Sequence, residues 1–105
     1  MRSIKQLADA IGRIMKLAKE GQGDEAAKEL EDATRTHLGM PGAMLDRLPP
    51  EEVVRTLNVE KSMIVAALLD AEGDLAAHRG DATRATERRA RADAIRRVAG
   101  LPVTR

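Results

Sequence analysis

The lack of every aromatic side chain is the feature that most constrains this sequence. Its 105 residues include no Phe, Tyr, Trp or Cys, and alanine supplies 18 of its 45 apolar residues. The core must therefore be built from small and branched aliphatic side chains, and we expect it to be thin. The same composition excludes a disulfide framework, thiol chemistry, cysteine-ligated zinc and the aromatic stacking of bases or ligand rings.

Size and charge predict one folded domain that spans residues 1–105. A chain of this length is near the commonest domain size, and two cores would each be too small. The formal net charge of +1 removes the self-repulsion that is typical of disordered chains. No apolar run approaches the roughly 18 residues of a membrane span, and charges at Lys5, Asp9 and Arg13 interrupt the segment where a signal peptide would be apolar. We therefore expect a cytoplasmic protein that does not enter a membrane.

The first part of the chain predicts a helical hairpin over residues 3–38. Apolar residues recur at the three- and four-residue spacing of one helical face between residues 3 and 20. Gly21 ends this helix, Asp24 is a candidate N-cap, and a second helix is expected over 24–38. The short connection between them favours an antiparallel arrangement.

A connector is predicted over residues 39–58, where glycines and prolines interrupt the helical pattern. Pro50 suits the first position of a helix, and the acidic residues after it suit the positive end of the helix dipole. This predicts a short inserted helix at 50–57. The alternative is a flexible tether, which is disfavoured because seven large aliphatic residues lie in the segment.

The last part of the chain predicts a second hairpin over residues 59–99. A helix at 59–77 is apolar nearly all round and is expected to be the central and most buried element. Asp81 is the candidate N-cap of a helix at 82–99. The core side of that helix is predicted to be small and narrow, and consists of Ala82, Ala85, Ala92, Ile95, Val98 and Ala99.

The two hairpins share a pattern. Gly21 and Gly80 are each followed by Ala five and twelve residues later, and the two units lie 59 residues apart. With Gly73 in its first helix, the second unit resembles the tetratricopeptide (TPR) repeat family, and the first unit resembles a degenerate copy. The units depart from the family pattern in lacking aromatic residues and in their spacing, which is usually about 34 residues. The resemblance implies an all-α fold of antiparallel helical hairpins, with two degenerate repeats and an inserted short helix.

The resemblance also implies a function. TPR proteins are protein-interaction scaffolds, and the first helix of each repeat lines their ligand groove. The equivalent positions here are the partner-binding candidates Ala67, Asp70, Asp74 and His78. The carboxylate-clamp subclass is disfavoured, because it needs Lys and Asn where this chain has acidic and apolar residues. We therefore predict a non-catalytic protein–protein interaction or scaffold module.

No catalytic, metal or cofactor site is predicted from the residues. His37 and His78 are the only histidines, and each lies at a predicted helix end, where a partly positive imidazole is favourable. Neither has the neighbours that a metal site or a nucleophile and base would need. We therefore expect the protein not to be an enzyme and to hold no cofactor.

The last helix offers an alternative function, because arginines crowd it. Such a helix could bind RNA or DNA through phosphates. The competing interpretation is a solvated face with intrahelical pairs such as Glu87 with Arg91 and Asp93 with Arg97. Nucleic-acid binding is disfavoured, because the overall charge is nearly neutral and no aromatic residues are present.

Self-association is the last expectation, since a thin core leaves apolar surface uncovered. A homodimer could form through the connector, where Met44 and Leu48 are the candidate partner-binding residues, or through the exposed side of the first helix. The alternative is that the connector residues cap the hairpins within one chain. These are the apolar residues concerned: Met40, Met44, Leu45, Leu48, Val53, Val54 and Leu57.

Overall fold

The computed structural model of the chain describes residues 2–103, with side-chain surroundings from residue 5 onward. Within that range all regular structure is helical, so the predicted all-α class is confirmed. The predicted helix ends lie within two residues of the observed ones. The five helices are α1 (Arg2–Lys19), α2 (Gly23–Leu38), α3 (Gly42–Leu45), α4 (Pro50–His78) and α5 (Ala82–Ala99).

The turns after α1 and α4 are equivalent, bond for bond, at an offset of 59 residues. Gly21 and Gly80 adopt left-handed φ angles of 78° and 81°, which favour glycine. The Gln22 N–H donates a hydrogen bond to the Leu17 carbonyl, and the Asp81 N–H donates one to the Ala76 carbonyl. The donor–acceptor distance is 2.9 Å in each case. This is the Schellman arrangement, which satisfies carbonyls at a helix end. The Leu101 N–H makes the same bond to the Arg96 carbonyl after Gly100, so the two hairpin turns share this helix end with the end of α5.

Ion pairs show that each turn reverses the chain. Arg13 on α1 forms an ion pair with Glu29 on α2, and the two residues are the same number of positions from Gly21 along the sequence. Between α4 and α5, Arg88 contacts Glu72 and Arg89 contacts Asp74. The two members of each pair are again at similar sequence separations from the turn at Gly80. Such symmetric pairing requires antiparallel helices. Helix α4 also contacts α1 and α2, so it is the central element of the fold.

Helix α4 contains a kink at Asn58, where φ is 70° and ψ is 175°. The kink separates a segment at 50–57 from one at 59–78, as the sequence predicted. The Asn58 side-chain Oδ1 accepts a hydrogen bond of 3.0 Å from the Lys61 N–H, so Asn58 acts as N-cap of the second segment. The buried Ser62 hydroxyl donates to the Asn58 carbonyl over 2.6 Å.

Small residues let α4 and α5 approach closely. A Cβ atom on Gly73 would lie 3.1 Å from the Ala85 carbonyl oxygen and 3.1 Å from Cγ of Arg89. All four alanines of the shared pattern are buried: Ala26, Ala33, Ala85 and Ala92. Their small side chains fill the space between the helices of each hairpin.

Several details of the sequence prediction were wrong. On α5, Ala82 and Val98 are exposed and Ala99 is half-buried. Ala82 and Val98 each lie about 100° around the helix axis from the centre of the buried face, which consists of Ala85, Arg88, Ala92 and Ile95. Asp24 is not the N-cap of α2; that position is Gln22, which makes no side-chain cap bond. Asp81 does cap α5, through a 3.0 Å bond from the Arg84 N–H.

Candidate functional site

The partner-binding candidates on α4 share one face of the helix. Ala67, Asp70, Asp74 and His78 follow each other at three- and four-residue spacing, and two exposed apolar residues continue the same row towards the N-terminus. These are Val59, which is 46% exposed, and Met63, which is 50% exposed. We call this row the α4 stripe: Val59, Met63, Ala67, Asp70, Asp74 and His78.

The middle of the α4 stripe is hydrogen-bonded to arginines of α5. Asp74 accepts a 2.6 Å hydrogen bond from Arg89 Nη2, and Asp70 accepts one from Arg96. Arg96 is also bonded to Asp93, over 3.0 Å. The two carboxylates are therefore neutralised within the chain, whereas His78 is exposed. The outward-facing apolar surface lies at the N-terminal end of the stripe.

The connector candidates lie on the opposite flank of α4. Glu72 is about 160° around the helix axis from Asp70 and Asp74, at 100° per residue. Glu72 bonds Arg88, and Arg88 also bonds Asp46 in the connector, over 2.8 Å. The structure therefore does not bring the candidate residues together on one surface.

Most of the connector belongs to the core. Leu45, Val53 and Leu57 are buried, and Leu48 is partly buried against them. Met44 alone among the connector's seven large aliphatics is strongly exposed, at 56%. The buried connector residues thus pack within one chain, and Met44 is the connector's most exposed aliphatic side chain.

Arg88 is the central charged residue of the flank of α4 that faces the connector. Its side chain is only 7% exposed and contacts the carboxylates of Asp46, Glu72 and Glu87. Burial by itself lowers the pKa of Arg88, but hydrogen bonds to Glu87 and Asp46 and the nearby charge of Glu72 raise it above its ordinary value. Arg88 therefore carries a permanent positive charge inside the fold.

Arg91 fastens the connector to α5 in a second way. Its Nη2 donates to the carbonyl oxygens of Leu45 and Leu48, over 2.7 and 2.9 Å. These bonds replace the predicted pair between Glu87 and Arg91, and Glu87 instead accepts a hydrogen bond from Arg88. Most of the other α5 arginines are also paired, and Arg97 is the exception within residues 5–103.

A cleft of about 620 Å³ lies between α2 and α5, with α4 as its floor. No residue pattern in the sequence indicated it, because it depends on how far apart two separate helices are held. Its charged rim includes Glu31, Asp46, Glu72, Arg84 and Arg91. Its apolar lining consists of Ala27, Leu30, Leu38, Ala43, Leu45, Val65, Leu68, Leu69, Leu75 and Ala76.

Comparisons with protein-family models, with curated proteins and with solved structures found no significant match to this chain. Within the described part of the chain, no helix combines the length and the apolar character that crossing a bilayer requires. Nor do residues in that range group three or more His, Asp or Glu side chains in a way that could hold a metal ion.

Proposed function

We propose that the chain is a non-catalytic protein–protein interaction module with a TPR-like arrangement of two helical hairpins. The single observation that carries the proposal is the apolar end of the α4 stripe, where Val59 and Met63 point outward. Large exposed aliphatic side chains at adjacent turns of one helix are typical of surfaces that bind another helix. The equivalent turns after Gly21 and Gly80 support the TPR-like arrangement.

The proposed partner is a second copy of the chain. A chain with 18 alanines and no aromatic residue buries little apolar area in its core, and a dimer interface would add to it. Isologous dimers are the commonest assembly of soluble proteins, and they place the same residue of each copy near the symmetry axis. Met63 of one copy would then pack near the axis against Met63 and Val59 of the other copy.

The test is the oligomeric state of the full chain and of two matched variants. Sedimentation velocity with interference optics is suitable, because the chain has no aromatic residue to absorb at 280 nm. We expect a concentration-dependent dimer for the parent protein and at least tenfold weaker association for Met63→Glu, since the interface would bury an unpaired carboxylate. Met44→Glu is the control, because Met44 is equally exposed but lies on the connector.

Two results would contradict the proposal. A single 11.4 kDa species of the parent chain at high micromolar concentration would exclude self-association. Weaker association of Met44→Glu, together with unchanged association of Met63→Glu, would move the interface from the α4 stripe to the connector.

Nucleic-acid binding by α5 is less well supported. Apart from Arg97, the α5 arginines that would contact phosphates already bond carboxylates or carbonyls of the same chain, as Arg84 does with Glu72 and Arg89 with Asp74. A phosphate would have to compete with those partners for each arginine. Titration of labelled duplex and single strands at low salt distinguishes the two functions, because phosphate binding weakens steeply as salt is added.

A further inference from the structure

Within α4, which is described over its whole length, Asn58 is the one residue with non-helical backbone angles. Its φ of 70° and ψ of 175° are nearly restricted to glycine, and such a conformation persists only where the surrounding structure enforces it. The local sequence does not require the kink, because residues 51–72 contain neither Pro nor Gly and asparagine is tolerated inside helices. A change of backbone angles at this one residue would therefore turn residues 50–78 into a single straight helix.

The kink is held by contacts between the parts of the chain on its two sides. Asp24 accepts a hydrogen bond of 2.8 Å from Arg79, and Asp46 accepts one of 2.8 Å from Arg88. Arg91 donates to two carbonyl oxygens of the connector, and the apolar core includes buried residues from both sides of the kink. None of these contacts requires the two parts to belong to the same chain.

We propose that two copies of the chain exchange these parts and form a domain-swapped dimer in which α4 is straight. The part of each copy before Asn58 then leaves its own second hairpin and packs against the second hairpin of the other copy. The same contacts are remade between the two chains, while the strain at Asn58 is relieved in both. The N–H groups of residues 59–61 gain the carbonyls of residues 55–57 as ordinary helical partners.

This dimer needs no contact through the α4 stripe, so the inference does not depend on the proposed surface dimer. The two assemblies also differ in their kinetics. A surface dimer separates when it is diluted, whereas an exchanged dimer separates only after its two halves have come apart. Dimer that forms during refolding of concentrated protein should therefore persist after dilution.

Two variants at position 58 test the exchange, because they change the bent and the straight helix in opposite directions. Asn58→Ala keeps the strain of the bent helix and favours the straight one, whereas Asn58→Gly relieves the strain and disfavours the straight one. A dimer contains two such hinges, so we expect its dissociation constant to be at least about a hundredfold lower for Asn58→Ala than for Asn58→Gly. Sedimentation velocity after refolding from urea at a series of concentrations measures both constants.

Cross-linking shows whether the dimer is exchanged. Asp24→Cys and Arg79→Cys each place one thiol at an exposed ion pair between α2 and the end of α4, in a chain with no cysteine of its own. The two variants are mixed, unfolded, refolded together and treated with a short bismaleimide. We expect a cross-linked pair of the two different chains, since α2 of one copy then packs beside α4 of the other. The yield should rise with Asn58→Ala and fall with Asn58→Gly added to both chains.

Equal dissociation constants for the two variants at position 58 would overturn the proposal, as would the absence of a cross-linked pair from the refolded mixture. A dimer that is lost in Met63→Glu and responds to neither test would be the surface dimer alone. An exchanged dimer that persists in Met63→Glu would support this inference even if the surface dimer did not form.

Discussion

Gly12 and Gly73 both lie inside helices, but their surroundings are opposite. A Cβ on Gly12 would meet no heavy atom within 4 Å, whereas one on Gly73 would lie 3.1 Å from the Ala85 carbonyl oxygen. Glycine inside a helix costs about 0.5 to 1 kcal/mol relative to alanine, because its backbone loses more conformational entropy. At Gly73 that cost is offset by the close approach of α5, and at Gly12 nothing offsets it.

The same substitution at these two positions should therefore have different effects. We expect Gly12→Ala to raise the free energy of unfolding by about 0.5 to 1 kcal/mol. Gly73→Ala forces two backbones apart, and we expect it to be at least about 1 kcal/mol less stable than Gly12→Ala. Urea denaturation followed by circular dichroism at 222 nm measures both. Equal gains would show that the close contact between α4 and α5 does not exist.

Residue-level prediction from the sequence succeeded where the chemistry is local. Gly21, Pro50 and Asp81 each act within a few residues of their own position, and each was placed correctly. Asp24 was misplaced, because its side chain bonds Arg79, which is 55 residues away. No local pattern reveals such a partner.

At the scale of the element, α4 depends on a strained residue. Asn58 adopts φ and ψ values that are nearly restricted to glycine, and such conformations cost of order 1 to 3 kcal/mol. Its side chain compensates in part, because it caps the segment at 59–78 through the Lys61 N–H. Asparagine at position 58 therefore costs backbone strain but provides the N-cap hydrogen bond.

This predicts an inverted order of stability at position 58. At an ordinary helical site alanine is more stable than glycine, but here Asn58→Ala keeps the strain and loses the cap, while Asn58→Gly loses the cap and relieves the strain. We expect the glycine variant to be more stable than the alanine variant by about 1 to 3 kcal/mol. Thermal denaturation of the two proteins decides the matter, and a more stable alanine variant would mean that α4 has no kink at Asn58.

The elements themselves were largely predictable, since apolar periodicity and terminal residues define α1, α2, α4 and α5. Helix α3 was missed because four residues from Gly42 to Leu45 are too few to show a period. The cleft was missed for a different reason. It arises from the spacing between α2 and α5, and no segment of the sequence records that distance.

For the molecule as a whole, the buried side chain of Arg88 links three parts of the fold. It joins α5 to α4 through Glu72 and to the connector through Asp46. The sequence assigned this arginine to a solvated or phosphate-binding face, because composition alone cannot show which arginine of a crowded helix points inward. The carboxylates that receive it lie 16 and 42 residues away.

Removing this charge should destabilise the fold. Arg88→Met retains much of the side-chain volume but removes the bonds to Asp46 and Glu87 and leaves Glu72 with Arg84 alone, and we expect a loss of about 1 to 3 kcal/mol. Arg97→Met on the exposed face of the same helix should change stability by less than about 0.5 kcal/mol. Chemical denaturation compares them; similar losses in the two variants would show that Arg88 is not buried.

The equivalent turns also bear on the order in which the chain folds. Residues 20–22 close the first hairpin and residues 79–81 close the second, so each forms at a small cost in loop-closure entropy. Docking the connector on α5 is different, because the bond from Arg88 to Asp46 spans 42 residues. We therefore expect the two hairpins to fold first as local units and the connector to pack against them late. The amide protons near α3 should then exchange with solvent before those of the central helix.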